Sequence, residues 1–131
     1  MRGNGIVMNA ITVLFVDDEP INRLIFAKSL EDHVSVIVAE SGEEGLRVLT
    51  QHPEINLVVS DFSMPGMSGV EFIATLKEIY PAMPCFTHSA VVWDTEIEAA
   101  IDAGLVLKHI PKPLVVENFL VELGLAVAPS S

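Results

Sequence analysis

Ile55-Asn56-Leu57-Val58-Val59-Ser60-Asp61-Phe62-Ser63-Met64-Pro65-Gly66-Met67-Ser68-Gly69 is an apolar run that ends on a carboxylate and then turns. The run is too short for a helix and rich in β-branched residues, so it predicts a buried strand over Ile55–Ser60. Pro65 and Gly66 then break the chain. Asp61 is therefore expected at the mouth of a sheet, held by a strand behind it and a turn ahead of it.

The same placement recurs along the chain. Asp17-Asp18-Glu19 closes the run Ile11–Val16, Ser89 closes Pro84–Ser89, and Lys112 follows Val106–Ile110. With Val34–Ala39 these make five short apolar runs without strict alternation, the pattern of strands covered on both faces. Between them the apolar spacing changes to three and four. Ile21, Leu24, Ile25 and Leu30 suggest one face of a first helix beginning near Pro20. Ser41 with Glu44 three residues on reads as a capped start for a second, with Leu46 and Leu49 inward. A third is expected over Gly69–Tyr80, stopped by Pro81, and a fourth over Val91–Ala103, ended by Gly104. The fifth is expected from Leu114 to about Val127. Five strand–helix alternations predict an α/β fold: a doubly wound parallel sheet whose site lies at the carboxyl ends of the strands.

Composition narrows the function. The 131 residues suit one domain, expected over 11–127, with a flexible leader at 1–10 and a frayed tail at 128–131. Eighteen acidic residues against seven Lys and Arg give a net charge of −11. Such a surface repels nucleic acid, whose affinity comes largely from phosphate neutralisation. No apolar stretch approaches the roughly 20 residues that cross a bilayer. The single cysteine, Cys85, excludes an internal disulfide and a thiolate cluster, and the chain reads as cytoplasmic.

Asp17, Asp18 and Asp61 would crowd three negative charges into one pocket, a conflict that a hard divalent cation removes. Mg²⁺ fits, since it takes one or two carboxylates, waters and a phosphate oxygen. Asp18 and Asp61 are the expected direct ligands, with Asp17 acting through water. Alone, Asp17 and Asp18 would equally serve as helix caps. Asp61 is then a candidate nucleophile toward a phosphoryl group. Lys112, stiffened between Pro111 and Pro113, offers a fixed cation to the phosphoryl oxygens. Ser89 offers a hydroxyl, and Thr87 is its rival on the same strand face.

Together these residues resemble the receiver domain of two-component response regulators. Asp17-Asp18 is similar to that family's acidic pair, Asp61 to its phospho-acceptor and Met64–Gly69 to the loop behind it. Ser89-Ala90 matches the hydroxyl and small residue, which selects Ser89 over Thr87; Lys112-Pro113 matches the lysine, and Ala103-Gly104 the preceding turn. The resemblance covers about residues 11–127. It implies a flavodoxin-like five-stranded sheet in the order 2-1-3-4-5 with five helices, and Mg²⁺-dependent phosphoryl transfer from a histidine kinase or histidine phosphotransfer protein. It also implies a metal ligand in the Ser63 backbone carbonyl, and a downstream protein target on the helix 4–strand 5–helix 5 face. Val91, Val92 and Trp93 would begin that helix 4. Neither nucleic acid nor membrane is an expected partner. Two departures stand out. His109 holds the place of the family's switch aromatic, which would make a switch weaker or pH-sensitive. The segment Gly104–His109 is one residue longer than usual.

Two other classes are weighed against this one. A phosphatase or mutase working through an aspartyl phosphate wants a second Asp two residues after the nucleophile, where this chain has Ser63. A module that only binds partners has no use for an intact acid pair, acceptor and lysine.

Overall fold

Every residue of β1 (Thr12–Val16) is buried, because helices cover both faces of this inner strand. Leu14 and Val16 point into one core, and Val13 and Phe15 into the other. The computed structural model describes residues 10–91 and 94–127; the expected leader, apart from Ala10, and the expected tail lie outside them. Around β1 the chain forms α1 (Pro20–Leu30), β2 (Ser35–Ala39), α2 (Gly42–Gln51), β3 (Ile55–Ser60) and α3 (Gly69–Ile79). It continues through β4 (Cys85–Ser89), α4 (Thr95–Asp102), β5 (Lys108–Pro111) and α5 (Val116–Val127). All strand pairings are parallel, in the expected order β2-β1-β3-β4-β5. The β1–β3 register slips at Asn56, whose side-chain oxygen accepts the Thr12 N–H at 2.8 Å.

Leu49 of α2, Phe72, Ile73 and Leu76 of α3 and Ala100 of α4 fill one core. Phe26 and Leu30 of α1 with Phe119 and Leu123 of α5 fill the other. The expected face of α1 is corrected here: Ile21, Leu24 and Ile25 are 61%, 56% and 54% exposed. Phe26 goes inward instead, because its ring stacks on Phe15 with centroids 4.0 Å apart and planes at 10°. Leu30 lies four residues on, on the same face.

Helix ends follow local chemistry. The Ser41 hydroxyl accepts the Glu44 N–H, and Ser68 with Glu71 forms a full capping box. The start of α4 is later than expected: Asp94 caps it by accepting the Glu96 N–H, and Val91 lies before it. Val92 and Trp93 lie outside the described residues. Gly104, at φ +81°, ends α4 with the two bonds of a Schellman turn, Gly104 N–H to Ile101 O and Leu105 N–H to Ala100 O. After this turn the strand begins at Lys108 rather than Val106, and Val106 packs into the core. α5 likewise begins at Val116 rather than Leu114.

Gly69 opens α3 with its α-carbon packed against the Asp61 carbonyl and the Phe62 backbone, where an added Cβ would collide. Its N–H donates to Phe62 O at 2.9 Å, so the acceptor loop closes on itself. Gly69→Ala should cost about 2–4 kcal/mol, because backbone rather than a flexible side chain must yield. Urea unfolding checks this; a midpoint equal to the parent's would show that the loop is slack.

Candidate functional site

Three carboxylates meet at the carboxyl ends of β1 and β3. Asp17, Asp18 and Asp61 each bring an oxygen within 4.8 Å of the others, the described residues' one cluster of metal-ligating type. The ladders fix them there: Asp17 N–H donates to Ala39 O at 3.1 Å, and Asp61 N–H to Val16 O at 2.8 Å. Asp17 is fully buried and Asp61 nearly so, while Asp18 is half-buried.

Buried carboxylates need donors, and Asp17 has several. Its Oδ1 accepts the Glu19 N–H at 2.9 Å and the Asn22 amide at 3.5 Å. Its Oδ2 accepts from Lys112 Nζ at 3.3 Å, and its carbonyl from Arg23 Nη1 at 2.8 Å. Asn22 and Arg23 escaped the sequence reading. Their signal is position: they lie in the first turn of α1, whose side chains lean back toward the helix start.

Lys112 comes from the far side of the sheet. Its N–H donates to Ser89 O at 2.8 Å, so β4 seats it, and Pro111 pairs with Ser89 in the ladder. From there its ammonium reaches both Asp17 and Asp61 Oδ1, the latter at 3.7 Å. One ammonium thus meets two of the three clustered carboxylates. Burial, then the charge of Asp17, push the Asp61 carboxyl up to about 6, with Lys112 opposing. The site is short of positive charge, and its donor set of hard, clustered oxygens suits Mg²⁺.

The two hydroxyls separate. Ser89 Oγ, at the end of β4, accepts the Val91 N–H at 3.3 Å. Thr87, fully buried, is held by His109, with Oγ1 and Nδ1 2.8 Å apart. His109 Nε2 lies 2.6 Å from the Val91 carbonyl. A carbonyl only accepts, so Nε2–H donates to it, and in the neutral ring Nδ1 accepts from the Thr87 hydroxyl. His109 thereby ties β5 to the chain leaving β4. Ser63 lies exposed in the acceptor loop.

A carboxyl raised in the folded state binds its proton more tightly there than in the unfolded chain. Its ionisation therefore costs stability as pH rises through the interval between the ordinary carboxylate value and about 6. In metal-free buffer near pH 7, Asp61→Asn should be more stable than the parent by about 1–2 kcal/mol, a figure discounted for solvent screening. The gain should vanish below about pH 4, where the parent's carboxyl is protonated in both states. Urea unfolding across that range checks the sign; a variant less stable than the parent near neutrality would refute the strain at Asp61.

Known proteins are similar in sequence and in fold. The family model described as "Response regulator receiver domain" matches residues 13–123. The transcriptional regulatory protein GlrR of Escherichia coli is 35% identical over 103 residues, covering 78% of this chain and 23% of GlrR. The transcriptional regulatory protein KdpE of Mycobacterium tuberculosis is 33% identical over 116 residues, covering 88% of this chain and 50% of KdpE. The chain thus spans a quarter to a half of the length of these relatives. A response regulator receiver domain protein from Clostridium thermocellum superposes with a TM-score of 0.80 at 25% identity, covering 89% of this chain and 94% of that one. An acid triad at the ends of β1 and β3, a lysine after β5 and a hydroxyl closing β4 sit on that shared fold, and the chain belongs to the response regulator receiver domain family, the phosphoacceptor signalling domains of two-component systems.

Proposed function

We propose that Asp61 is the phosphoacceptor, taking its phosphoryl group from a histidine kinase or histidine phosphotransfer protein in a Mg²⁺-dependent reaction. The observation that carries this is the Lys112 ammonium set against Asp61 Oδ1 and Asp17 Oδ2 at 3.7 and 3.3 Å beside a third carboxylate. Asp18 and Asp61 would hold the metal directly, Asp17 through water, and the Ser63 carbonyl would complete the set. When bound, Mg²⁺ supplies the missing positive charge and a contact to a phosphoryl oxygen.

An Asp61 oxygen attacks phosphorus, the P–N bond of the donor phosphohistidine breaks, and its electron pair returns to the imidazole nitrogen. Lys112 balances charge on the transferred oxygens, and the Ser89 hydroxyl donates to one of them. The ionised form of Asp61 is the nucleophile, so a raised carboxyl favours transfer at neutral rather than acidic pH. The chain catalyses only its own phosphorylation and dephosphorylation. We place it in the cytoplasm, where its phosphodonors work; among the described residues no helix is long and apolar enough to cross a membrane.

The output follows from the Ser89 side. When Ser89 turns toward a phosphorylated Asp61, Val91 N–H loses its acceptor, and the Val91 carbonyl is the one that His109 holds. His109 is then the switch residue, and the α4–β5–α5 face is the surface read by a downstream protein. That face carries exposed Leu107, Val115, Val121 and Leu125.

Acetyl phosphate with Mg²⁺ should add one phosphoryl group to the intact chain, seen by mass spectrometry. Asp61→Asn should remain folded and gain none; undiminished labelling of that variant would sink the assignment. Mg²⁺ at about 100 times its Kd should raise stability by about 2.7 kcal/mol, reversed by chelation. A melting temperature indifferent to Mg²⁺ would argue against the metal site. Lys112→Ala should still bind Mg²⁺, but its α4–β5–α5 amide resonances should respond weakly to phosphorylation; a response equal to the parent's would remove Lys112 from the switch.

A further inference from the structure

Behind the acid pocket a separate cavity of about 390 Å³ opens between α1, the end of β4 and the connection from β5 to α5. Phe15, Ile25, Phe26 and Leu114 give it an apolar wall, and Asn22, His88 and Lys112 are its polar groups. Asn22 and Lys112 are already engaged, both donating to Asp17. His88 is only half engaged. It is 4% exposed, with the rings of Phe15 and Phe26 each 6.0 Å away. Its Nδ1 donates to Ile110 O at 2.8 Å, and Nε2 makes no hydrogen bond among the described residues.

Burial holds this imidazole below its usual pKa, so the ring is neutral and Nε2 presents a lone pair. No buried side-chain polar atom is left without a partner among the described residues, so Nε2 is reached by solvent through the cavity, and a ligand's donor can take the place of water there. The volume is more than ten times the roughly 30 Å³ share of one water. It falls instead within the range of small-molecule sites, about 300–1,000 Å³, which pair an apolar lining with few polar groups.

We propose that this cavity is a second ligand site, for a small uncharged molecule with an aromatic or branched aliphatic body and a single O–H or N–H that donates to His88 Nε2. The body packs between Phe15, Phe26 and Ile25. Lys112 and Asn22 form both the cavity wall and the hydrogen bonds to Asp17, so the occupant lies directly against the acid pocket. Binding itself needs neither metal nor phosphodonor.

Phenol, with toluene as the control lacking a donor, tests this on the whole chain by amide NMR titration in metal-free buffer. Phenol should give saturable shifts centred on Ile25, Ala90 and Leu114. His88→Leu should lower the ratio of toluene to phenol dissociation constants about tenfold, the weight of one hydrogen bond. Ile25→Glu, at a position 54% exposed and tolerant of charge, should abolish the phenol shifts with the rest of the spectrum unchanged. Shifts that stay linear to the solubility limit, or an unchanged ratio in a folded His88→Leu, overturn the proposal. If His88→Leu does not fold, Ile25→Glu decides: phenol shifts equal to the parent's overturn it, and their loss upholds it. Linear shifts would leave the cavity to a partner protein's side chain. With no phosphodonor present, failure here leaves the Asp61 chemistry standing.

Discussion

The contact of one ammonium with two carboxylates, Lys112 with Asp17 and Asp61, joins the central strand, its neighbour and the sheet edge. It is incomplete compensation. One lysine meets two of the three clustered carboxylates, and the Asp61 carboxyl is raised rather than lowered because burial and Asp17 outweigh the cation. A protein under selection for stability alone would dilute this cluster. Keeping it leaves a pocket whose electrostatics favour a divalent cation, a local penalty that functional sites commonly carry and the surrounding core offsets.

The penalty is borne by rigid neighbours. Asp17 and Asp61 hang from ladder hydrogen bonds, and the loop after Asp61 is closed by Gly69. On the other side of the sheet the constraint is softer. Ser89 holds the Lys112 N–H through its carbonyl and the Val91 N–H through its hydroxyl, while His109 spans Thr87 and Val91. These bonds share residues and form one contiguous set between Ser89 and β5.

Helix α1 shows where reading by periodicity fails. The face expected there runs through Ile21, Leu24, Ile25 and Leu30. Of these the structure buries only Leu30, and pairs it with Phe26. Periodicity measures whether a face exists; the area available opposite it determines which face is used. Phe15 and Phe119 lie opposite Phe26, at 4.0 and 5.6 Å between ring centroids, and only the assembled sheet puts them there. The start of α4 fails differently: the apolar residues from Val91 suggest an earlier start, and the Asp94 side chain sets it by accepting the Glu96 N–H.

The positions of Asp17, Asp61, Ser89 and Lys112 at one end of the sheet were legible in the linear chain. Short apolar runs separated by helix-length segments permit only right-handed parallel crossovers, and parallel strands deliver every C-terminus to the same edge. Glycine and capping residues marked the turns because φ > 0 and exposed N–H groups are local demands. The pairing of His109 with Thr87, 22 residues away, was not legible, nor was the cavity at His88 or the reach of Lys112 across 95 residues to Asp17. Those depend on register between strands and on which side chain arrives opposite, and no local propensity encodes a partner that only packing brings near.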